Sequence, residues 1–143
     1  MIAVDTNVLV YAHRRDSPHH QPARDSVERL VGAGNPWAIP WPCVHEFLAI
    51  VTHPRIYDPP SPTAGAVQML VELAETGTVR WLAEGPQHLQ LLAELLRTSG
   101  VTGAKVHDAR VAALCLDHGV SEVWTADRDF SYFPRLRTRN PLV

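Results

Sequence analysis

Short apolar runs alternate with helical patterns along almost the whole chain, and this alternation limits the fold more than any other feature. Ile2, Ala3 and Val4 form the first run and Trp37, Ala38 and Ile39 the second. Val79, Trp81 and Leu82 mark a third, Val123, Trp124 and Thr125 a fourth, and residues 136–139 a last one at an edge. Runs this short and this continuously apolar suit strands buried on both faces. Between them, residues 6–12, 22–31, 42–53, 63–76, 86–99 and 105–118 carry apolar side chains at helical spacing. Thr6 or Asn7 is expected to cap the first helix and Thr63 the fourth, with Pro42 at the first position of the third. In the fifth, Leu89, Leu92, Ala93 and Leu96 are expected to face inward. Strands alternating with helices predict one α/β domain over residues 1–143, with a mostly parallel sheet covered by helices on both faces.

Composition narrows the function classes. A formal net charge of −2 excludes a generally basic nucleic-acid coat but leaves room for a local basic rim. No apolar run approaches the roughly 20 residues of a membrane span. Residues 1–5 lack the charged start and long apolar stretch of a secretory leader, so the expectation is a cytoplasmic protein without a membrane segment. Cys43 and Cys115 both fall in apolar helical patterns and read as small buried thiols rather than a disulfide. Residues 53–62 hold four prolines and form a loop.

Against this background, the placement of the acids stands out. Asp5 ends the first run and Asp127 follows the fourth. In open α/β sheets, ligands bind where strands end. Glu46 lies three residues after Cys43 and beside Phe47, which predicts that it faces inward. Asp108 heads the stripe Val111, Ala112, Cys115 and Leu116, at the end of a helix whose dipole favours an acid. Singly, these acids read as caps, turn residues or solvated charges. Together at one sheet edge, with Asp129 close behind, they would repel one another unless a cation sat among them. An oxygen-only ligand set suits Mg²⁺ or Mn²⁺ over zinc. His45-Glu46 does not continue into a zinc-protease motif, because position 49 is alanine. There is no phosphate-binding loop and no glycine-rich dinucleotide turn.

Four segments carry a family resemblance. They are Val4-Asp5-Thr6-Asn7-Val8-Leu9, the helix containing Glu46, His107-Asp108-Ala109 with Ala112-Ala113, and Thr125-Ala126-Asp127-Arg128-Asp129-Phe130. In this order and over nearly the whole chain, they resemble the PIN-domain ribonucleases, specifically VapC-type toxins of toxin–antitoxin pairs. The resemblance implies a three-layer α/β/α sandwich and a Mg²⁺- or Mn²⁺-dependent endoribonuclease. It implies Asp5, Glu46, Asp108 and Asp127 as the catalytic acids, of which Asp5, Asp108 and Asp127 hold metal. Glu46 would position a second ion or orient water. Thr6, Asn7, Thr125 and Asp129 would support them. It further implies an RNA substrate, a small VapB-type antitoxin and a homodimer.

Basic residues must hold the phosphates that carboxylates repel. Arg14, Arg15, Lys105, Arg110 and Arg128 lie near the acids in sequence and are candidates, each with a solvated surface charge as its alternative. Arg135, Arg137 and Arg139 would share one face of an edge strand. The four tryptophans read as core, Trp41 least so. Three other functions fit the acids: a PIN-fold nuclease in RNA or DNA processing without an antitoxin, a catalytically silent PIN-fold binding module, and a phosphohydrolase acting on a small nucleotide.

Overall fold

The computed structural model describes residues 1–143, and each apolar run becomes a strand of a single sheet. The elements, in chain order, are β1 (Ile2–Val4), α1 (Thr6–His13), α2 (His20–Gly32), β2 (Trp37–Pro40), α3 (Trp41–Val51), α4 (Thr63–Glu75), β3 (Val79–Leu82), α5 (His88–Ser99), α6 (Val106–Asp117), β4 (Glu122–Trp124) and β5 (Thr138–Arg139). Two single-turn 3₁₀ helices, Gly103–Lys105 and Asp129–Tyr132, precede α6 and follow β4.

The sheet order is β3-β2-β1-β4-β5, and every pair is parallel. The chain therefore winds outward from β1 to β3, then returns to the other side of β1 for β4. Right-handed crossovers in the two directions put the intervening helices on opposite faces of the sheet. The packing agrees: α1 meets α2 and α3, α3 meets α4, and α5 and α6 pair separately. This is an α/β/α sandwich. Its core joins Trp37 and Ile39 of β2 to Leu9, Phe47 and Leu114 of the helices, all fully buried. Phe133 is buried with them from beyond β4. No helix is long and apolar enough to cross a membrane.

Several local expectations change. Asp5, not Thr6 or Asn7, caps α1, its carboxylate accepting from the Thr6 N–H. Pro62 occupies the cap position of α4 and Thr63 is its first helical residue. Helix α2 begins at His20, before Pro22, while α5 begins at His88, after Pro86. In α5 Leu92 and Leu96 pack half-buried against the core as expected, but Leu95 is the buried leucine, Ala93 is exposed and Leu89 is 77% exposed. The helix packs mainly against α6, so one narrow stripe of it meets the core. Strand β5 is only two residues long, and the alternating arginines do not form a strand face. Arg135 instead lies beyond the strand and pairs with Glu94 at 3.6 Å.

Candidate active site

Winding the sheet in two directions from β1 leaves a crevice between the C-terminal ends of β1 and β4, and open α/β sheets bind ligands at such a switch point. Asp5 follows β1 there, and its N–H donates to Trp124 O at 3.0 Å, which ties it to the end of β4. A cleft of about 750 Å³ opens over this point. Asp5, Glu46, Asp108, Asp127 and Asp129 all line it, with Thr6, Asn7, His45, His107, Lys105 and Arg110. Five carboxylates thus face two fixed cations across one cleft.

Asp5 is the anchored member. Its side chain is 8% exposed. Oδ1 accepts from the Thr6 N–H at 2.8 Å and from Cys43 Sγ at 3.5 Å. Oδ2 accepts from Thr125 Oγ1 at 2.9 Å and from Asn7 Nδ2 at 3.4 Å. These four donors offset only part of the cost of burying the charge, and with Glu46 nearby the carboxyl stays above its ordinary pKa.

Thr125 organises the floor. Asn7 Nδ2 donates to its hydroxyl at 3.1 Å and the Asp127 N–H at 2.9 Å. A hydroxyl has one proton. With two donors already aimed at the oxygen, that proton must point to Asp5. Asn7 in turn accepts from the Ala126 N–H through Oδ1 at 3.1 Å. The loop after β4 is therefore clamped to the start of α1.

The other acids are freer. Thr6 Oγ1 donates to Glu46 Oε2 at 3.3 Å, yet Glu46 is exposed at the cleft mouth, where an inward-facing residue was expected. Phe47 and Cys43 take the buried face of α3 and rotate Glu46 toward the rim. Asp127 is exposed and its Oδ1 accepts the Asp129 N–H at 2.9 Å, so it shapes the turn and lines the cleft at once. Asp108 is half-buried in the first turn of α6. Burial first, then repulsion from Asp129, Asp127 and Asp5, pushes its carboxyl up to about 6, against a weaker opposing pull from Lys105.

The donor types fit a hard divalent cation: all five acids offer oxygen, and the network holds Asp5 in one orientation. No three His, Cys, Asp or Glu side chains have the mutual spacing of a metal site in this arrangement. The two thiols cannot join the chemistry as nucleophiles. Burial beside Asp5 pushes Cys43 well above its usual range, and burial pushes Cys115 up to about 12.

The basic candidates divide. Arg110 lines the cleft and its Nε donates to Glu84 at 2.8 Å. Lys105 lines it too, with Nζ 3.3 Å from Asp129 Oδ1. Arg128 is exposed and lies outside the cleft lining. Arg15 is also outside it. Arg14 is committed elsewhere: it donates to Pro59 O at 3.0 Å, pairs with Asp16 at 2.6 Å and lies 4.2 Å over the Tyr57 ring. Its role is to hold the proline-rich loop, a long-range partnership that local sequence does not signal. Sequence reasoning also left Tyr132 unassigned, and it sits against Lys105. The half-exposed Trp41 stacks between His45 and Trp81 at 6.1 and 5.4 Å, rather than entering the core.

The elevated Asp108 carboxyl has a measurable consequence. An acid raised in the folded state binds its proton more tightly there than in the unfolded chain. Folding then favours the low-pH side, and this contribution is lost as pH rises from about 4 through about 6. Thermal melts in cation-free buffer should show Asp108→Asn gaining stability over the parent above pH 6 and matching it near pH 4. A difference independent of pH would contradict the assigned repulsion.

The PIN domain family model matches residues 2–136. The Mycobacterium tuberculosis ribonuclease VapC25 is 33% identical over 143 residues, covering the whole of both chains. Ribonuclease VapC31 of the same organism is 34% identical over 141 residues, or 99% of each chain. Among solved structures, VapBC2 from Rickettsia felis, bound to a DNA fragment from its promoter, aligns with a TM-score of 0.68 at 17% identity. That alignment covers 98% of both chains.

Proposed function

The chain belongs to the PIN domain family, and on that premise we infer that it is a ribonuclease, the toxin of a toxin–antitoxin pair. The observation that carries the chemistry is the convergence of five carboxylates on the crevice between β1 and β4. Capping and turn roles account for Asp5 and Asp127 singly but not for five acids gathered in one cleft, and a divalent cation gives the gathering a purpose. We extend the reading to a Mg²⁺- or Mn²⁺-dependent endoribonuclease, with Asp5, Asp108 and Asp127 as the metal ligands. When bound, the cation would lower the pKa of a water and stabilise charge on the phosphoryl oxygens.

The chain's own residues supply the rest. Thr125 and Asn7 fix the Asp5 carboxylate through hydrogen bonds, so the first ligand needs no reorganisation. Glu46, exposed at the mouth and tethered by Thr6, can orient a water entering from solvent. Lys105 and Arg110 place positive charge on the rim for the phosphates flanking the scissile bond. The open cleft suits a polymer better than a small nucleotide. A VapB-type antitoxin is the partner implied by the complex of the R. felis neighbour, and a homodimer is the assembly we propose.

Induction of the chain in a bacterial host should arrest growth, and co-induction of its antitoxin should relieve the arrest. Purified protein should cleave total RNA with Mg²⁺ or Mn²⁺ and stop when a chelator is added. Cleavage that survives the chelator would remove the metal from this reading. Arrest without any RNA cleavage would remove the nuclease.

A further inference from the structure

A second cavity, of about 410 Å³, adjoins the acidic cleft and shares Ala104 and Lys105 with it as a common wall. Its other side is Tyr132, from the 3₁₀ turn after β4, which is 46% exposed. Ser99 and Thr102 bring hydroxyls to its lining. The loop between α5 and α6 forms its floor, and Gly100 makes the required reversal there with φ of +70°. Lys105 stands at the junction. Its ammonium lies 3.3 Å from Asp129 on the catalytic side and 4.6 Å over the Tyr132 ring on the other.

Resting on the ribonuclease reading, we propose that this cavity is a nucleotide subsite for the RNA strand. Lys105 holds the phosphate next to the scissile one, and Tyr132 stacks the attached base. Three observations converge on this. An exposed aromatic ring is the platform on which proteins stack unpaired bases whatever their identity. A lysine between that ring and the acids sits where the strand's charge must be met. The shared wall makes the two cavities one continuous path, so a strand seated across the acids runs on into the second cavity. Single-stranded RNA, with its bases unstacked and free to splay, is the occupant this chemistry recognises.

The test is a binding cycle in the full-length Asp5→Asn protein, in which cleavage is expected to be too slow to consume the ligand. The probes are a labelled uridine octamer of RNA and an octamer of equal length whose sugars carry no bases. Tyr132→Ala should weaken the uridine octamer about five- to a hundred-fold and leave the base-free octamer unchanged. Tyr132→Phe should bind the uridine octamer like the parent. Lys105→Ala should weaken both probes alike and reduce the salt dependence by about one counterion. Equal binding of the uridine octamer by Tyr132→Ala and the parent would overturn the subsite. So would an equal loss on both probes, which would mean that Tyr132 only supports the turn through Lys105. Failure to bind either octamer overturns it as well. RNA cleavage by the parent alongside a flat cycle sinks the subsite alone; a positive cycle without cleavage sinks the nuclease alone.

Discussion

Asp5→Asn is expected to reduce RNA cleavage by at least about a hundredfold while the protein stays folded. Loss of a ligand that fixes the cation removes several kcal/mol of stabilisation from charge developing on the phosphoryl group, at about 1.4 kcal/mol per factor of ten. Asparagine is nearly isosteric and caps helices as well as aspartate. It replaces one acceptor oxygen with an NH₂ group, however. The Asp5 carboxylate takes four donors, two on each oxygen. Whichever way the amide turns, its NH₂ meets donors on one side. If it faces Thr125, that hydroxyl proton loses its acceptor, because Asn7 and the Asp127 N–H already aim at the same oxygen. One such lost hydrogen bond costs about 1 kcal/mol.

A gain of opposite sign offsets that cost. In cation-free protein, the Asp5 carboxylate is buried and repelled by Glu46, which holds its pKa above the ordinary range. Asparagine removes the charge, and the melting temperature should therefore stay within a few degrees of the parent. The pair of readouts separates a role in the chemistry from one in folding. Cleavage within a few-fold of the parent would reject Asp5 as a ligand, and a collapsed melting temperature would make lost activity uninformative about the metal.

Asp5 and Asp127 were legible in the sequence because each follows an apolar run, and the end of a strand is where an α/β sheet presents its ligands. The run itself is local information. The order β3-β2-β1-β4-β5, which turns two strand ends into one crevice, is not, because strand pairing is decided over separations such as the 120 residues between Asp5 and Thr125. The spacing of α3 predicts Glu46 facing inward; it does line the cleft with the other acids, but as an exposed residue rather than on the buried stripe. Helical spacing gives the face to within a residue, and the bulk of Phe47 settled which neighbour went inward. Leu89 shows the same limit in α5, where the apolar spacing is genuine and Leu92, Leu95 and Leu96 meet the core, but Leu89, in the first turn, is left exposed. Arg14 looked like a rim cation because it is near Asp5 in sequence. Eight helical residues carry it away from the cleft, and the loop at Pro59 and Ser61 captures it there.

The largest loss of stability should come from Phe47→Ala. Phe47 is fully buried on α3 and meets the His13 ring edge-on, with centroids 5.5 Å apart. Contacts between α3 and α1 join the two helices that carry Glu46 and follow Asp5. Truncating a buried phenylalanine costs about 3–5 kcal/mol, from lost burial and the cavity left behind. A domain of this kind has only about 5–15 kcal/mol in total. Chemical denaturation should show the midpoint falling accordingly, and the melting temperature should drop by roughly 10–15 °C. A loss below about 1 kcal/mol would mean that α3 repacks freely and that the core does not fix its position. The neighbouring Glu46→Gln, an exposed residue whose hydrogen bond is with Thr6, should leave the midpoint almost unchanged. Two adjacent positions on one helix would then separate cleanly, the buried one carrying the fold and the exposed one free to serve the cleft. Well below its lowered melting temperature, Phe47→Ala should still cut RNA, because the hydrogen bonds that orient Asp5 come from Thr6, Asn7, Thr125 and Cys43 rather than from the aromatic ring.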